Sequence, residues 1–110
     1  MRTIAILLAV TLGVGTASHP ALAQSPAEQG RAIAEQQCAR CHAIGREGES
    51  PMHQAPPFRD IVKRYPAEQL GEALAEGIVT GHPAMPEFTF RPAEIDALIA
   101  YLKTFGEAPQ

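Results

Sequence analysis

Apolar residues recur along the chain at three- and four-residue steps, and no alternating strand pattern of useful length appears. Ala27, Gly30, Ile33, Ala34, Gln37, Cys38 and Cys41 make one stripe of mostly small residues, which predicts a helix that another helix can approach closely. Ile95, Leu98, Ile99, Leu102 and Phe105 make a more strongly apolar stripe with Tyr101 beside it, and Gly106 is placed to end that helix. The two stripes are expected to face each other. A middle helix runs through Leu70, Ala73, Leu74 and Gly77, and a shorter one is expected from Phe58 to Tyr65.

The starts of three helices share a phrase: Ser25-Pro26-Ala27-Glu28, Tyr65-Pro66-Ala67-Glu68 and Arg91-Pro92-Ala93-Glu94. Proline suits a first helical turn because it has no amide hydrogen to leave unpaired, and a glutamate two places on faces the positive end of the helix dipole. Only the first copy can form a complete capping box, because Tyr65 and Arg91 cannot cap as a serine hydroxyl does. The later two starts are expected to fray more. Between the helices lie two stretches rich in proline and glycine, Gly45 to Pro57 and Gly77 to Pro86, which read as loops. Long irregular loops in a compact domain usually serve a site, and these carry Met52, His53, His82 and Met85.

Ahead of the first helix, Arg2, an apolar run from Ile4 to Val14 and the small residues Ala21 and Ala23 before Gln24 read as an export signal over residues 1–23, cleaved after Ala23. The run is shorter than the roughly 18 to 20 residues a membrane span needs, and no second long run follows, so no stable membrane insertion is expected. Of the 110 residues, 87 then remain as one domain, residues 24–110, with a periplasmic destination. Losing Arg2 leaves 8 basic residues against 12 acidic ones, a net charge of −4. No basic face is available for nucleic acid. A chain this short buries only about 60% of its unfolded surface, and with two cysteines it has no disulfide framework to compensate. A bound cofactor is the other way to fill its interior.

Cys38-Ala39-Arg40-Cys41-His42 is the attachment signature for c-type haem. On a helix, residues at i, i+3 and i+4 share a face, so both thiols can add to the two vinyl groups while the His42 imidazole rises towards the iron. Three other readings compete. A disulfide between Cys38 and Cys41 leaves His42 unexplained. A thioredoxin-like pair needs a strand leading into the motif and a helix beginning at it, whereas this motif closes a helix. A structural zinc site wants four convergent ligands, and the only other imidazoles beyond residue 23 are His53 and His82. For the second axial position of the iron, Met85 is favoured by the rigid His82-Pro83-Ala84 before it and Pro86 after it, with His82, Met52 and His53 as competitors.

In this order of helix, haem signature, proline-bearing loop, middle helices, methionine loop and terminal helix, the chain resembles a class I monohaem bacterial cytochrome c over nearly all of residues 24–110. The resemblance implies an all-α cytochrome c fold of about four helices and long loops packed around one covalent haem c. It implies thioethers at Cys38 and Cys41, His42 as proximal and Met85 as distal iron ligand, and a helix crossing at Gly30. The Ala55-Pro56-Pro57-Phe58 segment resembles the one whose proline carbonyl accepts a hydrogen bond from the proximal histidine. Pro56 is the residue expected in that role, with Phe58 as apolar haem-pocket wall. Ala34 departs from the family, which commonly has an aromatic there, and Tyr101 is available to fill the space. No motif fixes the haem propionates; Arg59, Arg64 and Tyr65 are the candidates.

The resemblance further implies an electron carrier and not an enzyme, since an iron ligated on both sides has no position for substrate. It implies transient docking of redox protein partners at the haem edge, where Ala39, Arg40, Ala43, Ile44, Ala84 and Pro86 are expected, and a monomeric state. Two other readings stay open: a small electron-accepting subunit of an exported dehydrogenase, and a haem enzyme or gas binder with a displaceable distal ligand.

Overall fold

The computed structural model describes residues 15, 18, 20–77 and 84–106. Arg2, the apolar run from Ile4 to Val14, and His82 lie outside the described residues. Among the described residues there are four helices and no strand: α1 (Pro26–Gln37), α2 (Phe58–Arg64), α3 (Ala67–Glu76) and α4 (Pro92–Lys103). The fold is all-α, as expected. No helix among them is long and apolar enough to cross a membrane.

Helix α1 begins with the complete capping box. The Ser25 hydroxyl accepts from the Glu28 amide at 3.3 Å, and the Glu28 carboxylate accepts from the Ser25 amide at 2.7 Å. The Ser25 amide first, and then the nearby Ser25 hydroxyl, hold the Glu28 carboxyl below its usual range. Helix α4 departs from the expectation of a frayed start. Glu94 still reaches back to the Arg91 amide at 2.8 Å, and the Arg91 guanidinium, which cannot accept, donates to the other carboxylate oxygen at 2.9 Å. The start of α3 is plainer: Pro66 takes the cap position, the helix begins one residue later at Ala67, and no side chain caps it. Gly77, at φ +83°, and Gly106, at φ +96°, follow α3 and α4 in the left-handed region that glycine tolerates.

Helices α1 and α4 form the most extensive contact of the domain, and Gly30 lies at their crossing. A Cβ at Gly30 would lie 1.9 Å from the Ala97 carbonyl oxygen and 2.9 Å from Tyr101 Cβ, so the hydrogen side chain is a condition of the crossing. One turn on, Ala34 is fully buried in the same core cluster as Tyr101. The buried side of α4 differs from the expected stripe. Ala97, Leu98, Tyr101 and Leu102 are buried, while Ile95 and Ile99 are only partly so. The reason is that α4 is shared: α1 covers the Ala97–Tyr101 side, and α3 takes Ile95 and Ile99 near Gly71. An ion pair between Lys103 and Glu68 closes the same α3–α4 contact. Phe58, Val62 and Ala67 from α2 and α3 join Ala34, Leu98, Tyr101 and Leu102 in one core cluster. That core lies beneath the end of α1, where the Cys38–His42 motif emerges.

Candidate functional site

The motif continues the winding of α1 past its last residue. Cys38 is the C-cap, with its amide donating to the Ala34 carbonyl at 2.8 Å. The Ala39 amide shares that acceptor, and the Cys41 and His42 amides donate to the Cys38 carbonyl at 3.1 and 3.0 Å. Both thiols and the imidazole are thus set on one additional turn. The two cysteines are free and partly exposed. Burial pushes the Cys38 thiol up to about 11, so it is un-ionised at neutral pH. Among the described residues, no three histidine, cysteine or acidic side chains gather to hold a metal ion.

His42 Nδ1 lies 2.7 Å from the Pro56 carbonyl oxygen. A carbonyl only accepts, so this bond assigns the proton to Nδ1 and leaves the lone pair on Nε2. The Phe58 ring is buried with its centroid 5.6 Å from that of the imidazole. The intervening loop is folded back on itself by main-chain bonds. The Phe58 amide donates to the Ala43 carbonyl at 2.9 Å, the Ala43 amide to the Ser50 hydroxyl at 2.9 Å, and the Met52 amide to the Cys41 carbonyl at 3.1 Å. Cys38, Cys41, His42, Pro56 and Phe58 therefore belong to one assembly.

Three side chains that motif reading assigned no such part tie this loop to the helices. The Tyr101 hydroxyl donates to the Ile44 carbonyl at 2.5 Å. Arg46 donates to the Thr104 carbonyl at 2.6 Å, with its guanidinium carbon 5.4 Å from the Phe105 ring centre. Arg59, a candidate for the propionates, donates to the Gly48 carbonyl at 2.6 Å and more weakly to that of Gly45 at 3.5 Å. No sequence signal marks these ties, because each ends on a backbone carbonyl, an acceptor that every residue possesses.

The remaining expected site residues are spread over the loop of residues 41–56, the end of α2 and the methionine loop. Met85 is partly buried and lines a shallow hollow with Leu74, Pro86 and Phe88. Phe88 and Phe90 stack at 5.3 Å and, with Ile33, Gln36, Gln37, Thr89 and Glu94, border a cleft of about 170 Å³. Met52 is partly buried and His53 is exposed. Arg64 and Tyr65 are exposed, and no described contact engages them with the His42 loop. Of the expected docking residues, Arg40, Ala84 and Pro86 are exposed and Ala39 and Ile44 are half-buried. Ala43 is a correction. It is buried, because both its amide and its carbonyl are turned inward to Ser50 and Phe58.

The residues present fit a c-type haem. Two thiols not joined to each other share a helical turn with an imidazole whose free lone pair is fixed at Nε2, and an apolar ring lies beside it. A zinc or disulfide site would ask for a different donor set.

Residues 25–102 match the family model described as Cytochrome C oxidase, cbb3-type, subunit III. No curated protein and no solved structure matches the chain significantly. The match takes in α1, α2, α3 and all but the last residue of α4, with the Gly30 crossing, the Cys38–His42 turn and the Pro56 loop. The chain belongs to this cytochrome c family: it is a class I c-type cytochrome, an electron carrier whose family implies covalently bound haem c and redox protein partners.

Proposed function

We propose that the chain, exported by residues 1–23 and acting as the domain 24–110, is a periplasmic shuttle of single electrons. Cys38 and Cys41 would hold one haem through thioethers, and His42 and Met85 would ligate its iron. The observation that carries this reading is the 2.7 Å bond between His42 Nδ1 and the Pro56 carbonyl, on the same assembly as both thiols. When bound, haem supplies an Fe(III)/Fe(II) couple.

The residues have distinct parts in this scheme. Cys38 and Cys41 make the attachment permanent. The Pro56 carbonyl holds the imidazole in one tautomer and orientation and raises its basicity. Phe58, Leu98 and Leu102 exclude water, and a low-dielectric surround disfavours the more highly charged oxidised state. The Met85 thioether favours the reduced metal, and the prolines flanking its turn limit how far it moves. Arg40, Ala84 and Pro86 offer a weakly charged exposed edge suited to brief encounters by a monomer. The net charge of −4 steers basic partners towards it.

The test begins with production in a host competent for cytochrome c maturation. Expected are red periplasmic material, a polypeptide starting at Gln24 whose mass includes one haem that resists acid-acetone extraction, a weak near-infrared band in the oxidised form, and resistance of the reduced form to carbon monoxide. Colourless protein with unmodified thiols overturns the haem reading. Prompt stoichiometric binding of carbon monoxide overturns the Met85 assignment in favour of a haem enzyme or gas binder. The family description names an oxidase subunit, which favours a second reading in which the chain resides in a larger redox assembly. Co-purification with a larger redox enzyme under mild conditions supports that reading, and a lone monomer at low micromolar concentration counts against it.

A further inference from the structure

We infer that Tyr101 is a positioning residue for His42: its hydroxyl, donated to the Ile44 carbonyl, pins the segment that carries the imidazole and thereby fixes the His42–Pro56 hydrogen bond. The inference rests on the role proposed above for His42. Residues 42–44 leave α1 as a short strip, held within the loop by the His42 amide on the Cys38 carbonyl and the Ala43 amide on the Ser50 hydroxyl, and tied outward by three further bonds. His42 Nδ1 donates to the Pro56 carbonyl, and the Ala43 carbonyl accepts from the Phe58 amide, so the strip and residues 56–58 are joined by two adjacent rungs. The third bond, at Ile44, goes instead to α4. Without it, the end of the strip keeps only the weak Arg59–Gly45 bond and the exposed Arg46–Thr104 bond beyond it, so it shifts more readily about the Ala43 rung and the motion is delivered to the neighbouring rung at His42.

Tyr101 is suited to act as the fixed end. The residue is 9% exposed, its Cβ sits at the close Gly30 crossing, and Phe105 meets its ring edge-on at 5.3 Å. A tyrosine side chain has only two rotatable bonds to the ring, so a packed ring places its hydroxyl closely. The partly buried Ile44 carbonyl would lose its hydrogen bond to Tyr101 in a phenylalanine variant. The Arg46–Thr104 bond lies two residues further on and is exposed, so it supports the same strip less firmly. A merely structural Tyr101 would fill the volume left by Ala34 with its ring and have no specific effect on His42.

The test is hydrogen exchange by nuclear magnetic resonance on the haem-loaded protein, comparing Tyr101→Phe with wild type at the His42 Nδ1–H and at the Leu98 amide in the core. The expected result is exchange roughly tenfold faster at His42 Nδ1–H, the factor one ordinary hydrogen bond is worth, with little change at Leu98. A rise in reduction potential should accompany it, since an imidazole with a looser Nδ1 bond is a poorer donor. Fluorotyrosine at position 101, in a Tyr65→Phe background, keeps the hydroxyl and should restore slow exchange. Equal acceleration at both sites, no acceleration, or failure of fluorotyrosine to restore slow exchange overturns the inference. Failure of the His42 ligand role itself would show in wild type alone, as an imidazole without paramagnetic shifts, and is thus separate from any difference between the variants.

Discussion

The backbone of Gly30 on α1 rests directly against the Ala97 carbonyl on α4, at a separation that leaves no room for a methyl group. Gly30→Ala would put its Cβ 1.9 Å from that oxygen, and because the obstacle is backbone, it cannot turn aside. The helices must part, and the gain of up to about 1 kcal/mol in helix propensity is outweighed by overpacking, for a net loss of about 2 kcal/mol or more. Gly71→Ala is the contrasting case. Its Cβ would meet Ile99 Cγ1 at 3.4 Å, ordinary contact, so propensity should prevail and stability rise by about 0.5–1 kcal/mol. Urea unfolding of the two variants beside wild type checks both signs; a neutral Gly30→Ala would refute the tight crossing.

Met85 is expected to govern the optical and redox properties without governing attachment. Met85→Ala should keep haem on the polypeptide, lose the weak near-infrared band and bind carbon monoxide when reduced. Met85→His should remain resistant to carbon monoxide while its potential falls by on the order of a few hundred millivolts, a fair part of the roughly 0.8 V span that axial ligands command. Spectra and redox titration of the two proteins decide. Persistence of the band in Met85→Ala would move the ligand role to another residue.

Arg59→Gln tests the loop rather than the iron. Its guanidinium holds the Gly48 carbonyl at 2.6 Å, next to the turn that Gly48 makes at φ +86°. Loss of this exposed, charge-assisted bond should cost about 1 kcal/mol or less and be felt locally. Limited proteolysis should cut between residues 45 and 50 several times faster than in wild type, with the midpoint of global unfolding shifted by only a few degrees. A variant indistinguishable in proteolysis would show that the bond does not restrain the loop.

How much of this was legible in the sequence depends on the range of each interaction. Capping at Ser25 and Glu28, helix-ending glycines and the three- and four-residue stripes are local, and the residues involved announce them. The Pro56 contact was reachable through family resemblance, with a separation of 14 residues. The Tyr101–Ile44 and Arg46–Thr104 bonds span 57 and 58 residues and use backbone acceptors, which every residue possesses, so nothing in the sequence singles them out. Leu98 and Leu102 are buried as their stripe predicts, and the partial exposure of Ile95 and Ile99 has a different cause. Hydrophobicity selected Ile95 and Ile99, but a helix gripped from two sides buries small Ala97 at the tight crossing and leaves bulkier side chains partly open. An arginine cannot accept as a serine cap does, yet Arg91 donates to the glutamate that completes the turn.

The ionisable groups at the helix ends predict the pH range over which the domain is stable. Glu94 is held low first by the Arg91 guanidinium and then by the Arg91 amide, Glu68 by the Lys103 ammonium, Asp60 by Lys63, and Glu28 by the Ser25 amide and hydroxyl. A carboxyl lowered by folding stabilises the native state above its ordinary value, 4.5 for these glutamates and 3.8 for Asp60, and loses that contribution as pH falls through the still lower folded value. Tyr101 has the opposite sign. Burial raises its phenol above the ordinary 10.0, so its contribution is complete below that value and is lost as pH rises through the raised one. Urea midpoints followed by far-ultraviolet circular dichroism should therefore be nearly level from about pH 5 to 9 and fall on both sides. Ser25→Ala should lower stability at neutral pH by about 1 kcal/mol and make the acid fall shallower, because Glu28 then keeps the amide but loses the hydroxyl. Tyr101→Phe should remove part of the alkaline fall alone. An acid limb unchanged in Ser25→Ala would show that the capping box, although formed, does not couple Glu28 to folding.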